Sequence, residues 1–331
     1  MTIAIIATIV GLVGLIWSAD RFVTGAAGIA RNMGMAPMMI GLTVVALGTS
    51  APEIVVAISA AIENASSLAV GNAIGSNLAN IGLVLGVTAL VCPIPIAYAL
   101  LKREIPILLA ATIGAGFLIH DGELSFLDGV MLLSGLIAIF YFLVNSKSHE
   151  TDAELEAEIE DIPDIPSDKA WRLFIMGLVL LIISSHILVM GAKDIALALG
   201  ISELVVGLTV VAIGTSLPEL AATVASALKG HHDIALGNIV GSNLFNLLAV
   251  MAMPALLNPP KLDAAVFSRD YVSMAAITFM LVGMVFAHKL WTRYSAKHNL
   301  PGMAKKINST IGRVEGTILL AAYVAYFSIL F

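Results

Sequence analysis

Apolar residues run along this chain in stretches of about 17 to 25, long enough to cross a hydrocarbon core as helix. They fall near residues 3–19, 37–60, 68–91, 104–119, 126–144, 171–190, 203–227, 235–256, 271–288 and 314–331. Between them the chain turns briefly polar, and glycine recurs inside the apolar runs. Interior glycine and this length suit helices rather than porin strands of roughly ten residues. The pattern predicts an all-α membrane protein with ten transmembrane helices. Five precede a polar connector and five follow it.

Composition agrees. The chain has 331 residues, 59% of them hydrophobic and 12% charged, with a mean hydropathy of +0.98. That is too apolar for an ordinary soluble domain. Met1 to Trp17 lacks a basic leader and a clear cleavage signal, so a retained first helix is expected rather than a signal peptide. Cys92 stands alone, which excludes a disulfide framework or a thiolate metal site and suggests packing.

Charge adds an orientation. Of the seventeen Lys and Arg residues, only Lys193, Lys261 and Arg269 fall in one set of alternate loops. The other fourteen, from Arg21 and Arg31 to Lys306 and Arg313, fall in the other set. The positive-inside rule puts that larger set in the cytoplasm and both termini outside it. The connector near 145–169 carries nine acids, with Pro163 and Pro166 among them. A solvated cytoplasmic linker is its expected role, and it lacks the ligand pattern of an EF-hand loop. The chain then divides into residues 1–145, a linker over 146–169, and residues 170–331.

One polar phrase occurs twice. Gly48-Thr49-Ser50-Ala51-Pro52-Glu53 returns 166 residues later as Gly214-Thr215-Ser216-Leu217-Pro218-Glu219. At the same offset, Gly71-Asn72-Ala73-Ile74-Gly75-Ser76-Asn77-Leu78-Ala79-Asn80 returns as Gly237-Asn238-Ile239-Val240-Gly241-Ser242-Asn243-Leu244-Phe245-Asn246. Gly41 to Ala46 likewise matches Gly207 to Ala212. With an odd number of spans per half, the second copy enters the membrane the other way up. The expected relation is therefore an inverted repeat.

Both copies place an acid inside apolar sequence. A charged carboxylate at the bilayer centre costs roughly 2.5–3.5 kcal/mol or more, so Glu53 and Glu219 need a cation, a proton or a polar partner. Pro52 and Pro218 each remove an amide donor and disfavour helix just before them. A kink or unwinding is expected over Ala46–Ser50 and Ala212–Ser216, offering carbonyls beside the hydroxyls of Thr49, Ser50, Thr215 and Ser216. Asn72, Ser76 and Asn80 share one helix face by their spacing of four, as do Asn238, Ser242 and Asn246. Asn77 and Asn243 are displaced from those faces. Hard oxygen ligands with two carboxylates suit Ca²⁺ among divalent ions, and the same oxygens can share Na⁺ ions.

The spaced pair GTS-x-PE and GN-x-x-GSN-x-x-N, present in both halves, resembles the two alpha repeats of the sodium/calcium exchangers. These belong to the cation/calcium exchanger superfamily; within it the chain is similar to the bacterial inner-membrane exchangers of the YrbG type. The resemblance spans nearly everything but the acidic linker. It implies two inverted five-helix repeats with discontinuous helices at the ion site. It also implies cation coordination by Glu53 and Glu219, with Thr49, Ser50, Thr215 and Ser216 on the discontinuous helices. Ser76, Ser242, Asn80 and Asn246 would contribute further, as would the backbone carbonyls of Ala46 and Ala212. Where some relatives carry aspartate at the positions of Asn80 or Asn246, this chain has asparagine at both.

The expected function is sodium/calcium antiport by alternating access, without enzymatic chemistry or a cofactor. Proton/calcium or other cation/proton antiport is the first alternative; a channel or a nontransporting scaffold is a more distant one. The expected partners are calcium and sodium ions and the lipid bilayer of the cell inner membrane, with no nucleic acid. The sequence names no obligate protein partner.

Overall fold

The structure, a computed structural model, describes residues 1–96, 100–145, 162, 164–199, 212–297 and 310–330. Most of the acidic linker, and the part of the seventh expected span before residue 212, lie outside the described residues. So do the repeat positions Gly200 and Gly207.

Helix dominates. Helices α1 (Thr2–Met33) and α7 (Ser167–Ala198) hold 32 residues each. At 1.5 Å per residue each is about 48 Å long, more than a hydrocarbon core requires. Between them lie α2 (Pro37–Thr49), α3 (Ala51–Ile62), α4 (Ser66–Val91), α5 (Ile105–Ile119) and α6 (Phe126–Asn145). After α7 come α8 (Ala212–Thr215), α9 (Leu217–Leu228), α10 (His232–Leu257), α11 (Val266–Ala287) and α12 (Arg313–Leu330). Among the described residues six helices are long and apolar enough to cross a membrane, or seven with the bent α2–α3 pair counted as one span. Helices α5, α9 and α12 occupy the remaining expected spans.

Inversion is visible in the way α1 meets α7. A side chain at Gly11 would lie 2.5 Å from Leu188 N, and one at Gly177 would lie 2.4 Å from Phe22 N. Under the 166-residue offset, Gly11 matches Gly177 and Phe22 matches Leu188, so each contact is the mate of the other. The same holds for Gly25 against Phe174 and Gly191 against Thr8, at 2.3 and 2.7 Å from the backbone nitrogens. Moving up α1 means moving down α7. Reciprocal antiparallel contacts of this kind require a two-fold axis across the helices, the arrangement of inverted repeats. Only glycine permits backbones this close.

The loops sort onto two ends. On one, Lys229 Nζ meets Asp20 Oδ1 at 2.7 Å, Asn32 Nδ2 donates to Ile165 O, and Ile94–Pro95 pairs antiparallel with Thr310–Ile311. On the other, Asn258 Nδ2 donates to Ala61 O, Leu262 N to Gly122 O, and Lys261 pairs with Glu123 at 3.2 Å. Every one of these contacts joins loops of the same parity. The alternation behind the charge count is therefore physically realised, Lys229 and Lys261 standing at opposite ends.

Burial places the site. Of the most apolar window of α10, 89% is enclosed by protein, against 28% for α1. Helices α10 and α4 thus form the centre, and α1 and α7 lie at the periphery. Ile5, Ile9, Leu12 and Ile16 of α1 and Ile175, Val179 and Ile183 of α7 are exposed. Exposed apolar stripes of this extent fit lipid, not water.

Candidate ion-binding site

Two local breaks build the site. Helices α2 and α3 meet at Ser50 with a bend of 43°. Pro52 follows at the start of α3 and has no amide to give the preceding turn. In the second copy Ser216 separates α8 from α9, with Pro218 in the same place. Ser50 N donates to Ala46 O at 2.9 Å, four residues back, whereas Ser216 N donates to Ile213 O at 3.1 Å, three residues back. The expected unwinding is thus a sharp bend. The Ala46 carbonyl accepts both the Ser50 amide at 2.9 Å and the Thr49 hydroxyl at 3.3 Å.

The second break was not foreseen from the sequence. Asn80 opens a π-helical turn, Asn80–Leu85, and Asn246 opens its counterpart, Asn246–Val250. A π turn carries one extra residue per turn, so it re-aims the side chain at its start and commonly marks a functional position. Another pair, Leu100–Glu104 and Val266–Tyr271, precedes or opens α5 and α11 at the same offset. Helix α3, with Glu53, packs on the π turn of α10, and α9, with Glu219, packs on that of α4. Each acid-bearing helix thus packs on the π turn that an asparagine of the opposite repeat opens.

Glu53, Glu219, Asn80 and Asn246 are each only 1% exposed. Ser50 Oγ donates to Glu219 Oε1 at 3.2 Å. Both carboxylate oxygens of Glu53, Oε2 of Glu219, Oγ of Ser216 and the whole amide groups of Asn80 and Asn246 have no hydrogen-bond partner among the described residues. A buried polar group without a partner costs on the order of 1–3 kcal/mol, and a buried charge more. Thr49 Oγ1 donates to Asn238 Oδ1 at 3.1 Å and lies 3.4 Å from Ser242 Oγ. The first repeat's hydroxyls thus lie against the second repeat's helix.

Of the residues expected from sequence, Ser50 is joined to Glu219, and Thr49 contacts Ser242 and bonds Asn238. Glu53, Asn80, Asn246 and Ser216 share their burial. Ser76 is buried on α4, and Thr215 and Ala212 lie at the second break. Asn77 does bond another helix, its Nδ2 lying 3.5 Å from Met274 Sδ, while the amide of Asn243 is buried without a protein partner. Sequence reasoning missed Thr223, whose Oγ1 accepts from Asn238 Nδ2 at 2.9 Å. Its signal was present: four residues after Glu219, it shares that residue's helix face.

An all-α, multi-pass membrane fold with inverted repeats around a buried acidic site defines an ion transporter. Sequence comparison gives the family. The sodium/calcium exchanger protein family matches residues 3–145 and 169–331, leaving out only the linker, and the chain belongs to it. CaxA of Alkalimonas amylolytica is 44% identical over 337 residues, covering 100% of this chain and 99% of that one. The inner membrane protein YrbG of Escherichia coli is 36% identical over 340 residues, covering 100% and 98%. Among solved structures, the sodium-calcium exchanger NCX_Mj superposes with a TM-score of 0.80 at 32% identity, covering 99% of each chain. Likeness at this level extends through the whole ten-helix inverted-repeat architecture.

Proposed function

We propose that this chain is a secondary antiporter that exchanges Na⁺ for Ca²⁺ by alternating access to one central site. The observation that carries the reading is the pair of fully buried glutamates, one from each repeat, three of whose four carboxylate oxygens have no hydrogen-bond partner among the described residues. Family membership and the similarity to NCX_Mj, a sodium-calcium exchanger, support it.

In this reading Ca²⁺ is held by Glu53 and Glu219, whose two charges it neutralises. Thr49, Ser50, Thr215, Ser216, Ser76, Ser242, Asn80 and Asn246 supply neutral oxygens, with the carbonyls of Ala46 and Ala212. Na⁺ ions share the same oxygens. The two cargoes therefore compete, and the loaded site crosses when the inverted halves, or the peripheral helices, move. An empty site carrying two buried charges is costly to move through a low-dielectric region, which suppresses leak. The carboxylates act as ligands and no bond is made or broken.

The functional units are then residues 1–145 and 170–331, joined by a cytoplasmic linker over 146–169. The protein is of the YrbG type and resides in the cell inner membrane with both termini outside the cytoplasm. The charge count and the similarity to the Escherichia coli inner membrane protein support that placement.

The deciding measurement is Ca²⁺ flux in sealed proteoliposomes under separately imposed Na⁺, K⁺ and proton gradients. Outward Na⁺ should drive Ca²⁺ uptake against its gradient. Flux indifferent to Na⁺ but driven by protons would replace this reading with proton/calcium antiport.

A further inference from the structure

The geometry points to Thr223 as a positioning residue of the cation site, acting through Asn238 on Thr49. The inference rests on the cation-site reading above and adds a residue to it.

Asn238 is 0% exposed and is held at both ends of its amide. Nδ2 donates to Thr223 Oγ1 at 2.9 Å, and Oδ1 accepts from Thr49 Oγ1 at 3.1 Å. A hydroxyl has one proton and two lone pairs. Thr49 has a second acceptor in the Ala46 carbonyl at 3.3 Å and lies 3.4 Å from Ser242 Oγ; with its one proton on the shorter contact, to Asn238, its lone pairs stay clear of the amide and can face a cation. Removing the Thr223 hydroxyl leaves Asn238 Nδ2 buried without a partner, and the contact that fixes which way the amide faces is gone, so the turned amide becomes populated. The flipped amide would donate to Thr49 and occupy one of the lone pairs a cation needs.

The other repeat shows that this post is an addition to the duplicated motif. Asn72 corresponds to Asn238, and Ala57 corresponds to Thr223. Alanine has nothing to accept a proton, and Asn72 Nδ2 has no partner in the protein. The ligand-bearing motif is present twice, while its support is present once. Asn238 is therefore held by a post that Asn72 does not have among the described residues.

The test uses the full-length protein, purified in detergent for Ca²⁺ binding and reconstituted for flux. Thr223→Val keeps the shape and removes the hydroxyl; it should raise the half-saturating Ca²⁺ concentration about three- to tenfold, the effect of one neutral hydrogen bond, with the maximal flux retained. Thr223→Ser should restore the wild-type value. A purely structural role would instead lower thermal stability and leave the affinity of the folded protein unchanged. If Thr223→Val does not fold, Thr223→Ala must show the same affinity shift. Wild-type Ca²⁺ affinity in the folded hydroxyl-free variant, or a loss that serine does not rescue, overturns the proposal. Glu219→Gln is measured in parallel: its losing Ca²⁺ binding while Thr223→Val keeps it would sink only the positioning role. Wild-type binding by Glu219→Gln would sink the cation site itself.

Discussion

Ser50 donates a hydrogen bond to Glu219 at 3.2 Å across 169 residues of sequence, from the bend of one repeat to the acid of the other. The bond makes the site a joint property of the two halves. Its mate, Ser216 to Glu53, is not formed: Ser216 Oγ and both Glu53 oxygens have no protein partner. The repeats are thus alike in sequence and unequal in hydrogen bonding.

The glutamates should be indispensable and not interchangeable with their amides. Glutamine keeps the size and removes the charge that offsets a cation. Glu53→Gln and Glu219→Gln should each weaken Ca²⁺ binding by about a hundredfold or more, a loss of roughly 3 kcal/mol or above. Calorimetric titration of the folded variants checks this, and wild-type affinity in both would remove the two acids from the site.

Ser50→Ala should be milder. It removes one hydrogen bond to a carboxylate and leaves the charge, so a loss of about ten- to a hundredfold in Ca²⁺ affinity is expected. An effect as large as that of Glu219→Gln would mean that Ser50 does more than orient the acid.

The α1–α7 contact yields a paired prediction. A methyl at Gly11 would sit 2.5 Å from Leu188 N and one at Gly177 2.4 Å from Phe22 N, both on backbone that cannot step aside cheaply. Gly11→Ala and Gly177→Ala should each destabilise the protein by about 1–3 kcal/mol, and by similar amounts because the two contacts are mates. Thermal unfolding in one detergent compares them. A large effect in one and none in the other would argue against the two-fold relation.

Sidedness can be read with cysteines placed in a Cys92→Ser background. Lys261→Cys should react with a membrane-impermeant thiol reagent applied to intact cells, and Lys229→Cys only after permeabilisation. Labelling of both from one side would contradict the ten-span alternation; the reverse pattern would invert the assigned orientation.

Removing the Lys229–Asp20 pair should matter little to stability. The two side chains are 30% and 44% exposed, and pairs of that kind contribute about 0–1 kcal/mol. Lys229→Gln is expected to shift unfolding by no more than that.

The sequence by itself determined the spans, the repeat, its inversion and the two acids. These follow from quantities that lie along the chain: the length of apolar runs, the parity of their number, the cost of a carboxylate in hydrocarbon. It also set Asn80 on a face with Ser76, and Asn246 on a face with Ser242. Tertiary structure decided the rest. The π turns that aim those two asparagines leave no signature in residue type, because one extra residue in a helical turn is stabilised by packing rather than by local propensity. Spacing puts Thr223 on the helix face of Glu219 but does not reveal its partner. Its role depends on Asn238, fifteen residues away, and that partnership exists only once α9 and α10 are packed together. Nor could a duplicated motif disclose that its copies differ in hydrogen bonding, since the difference lies in Ala57 and Thr223, outside the motif, and in which hydroxyl reaches which acid across the two-fold axis.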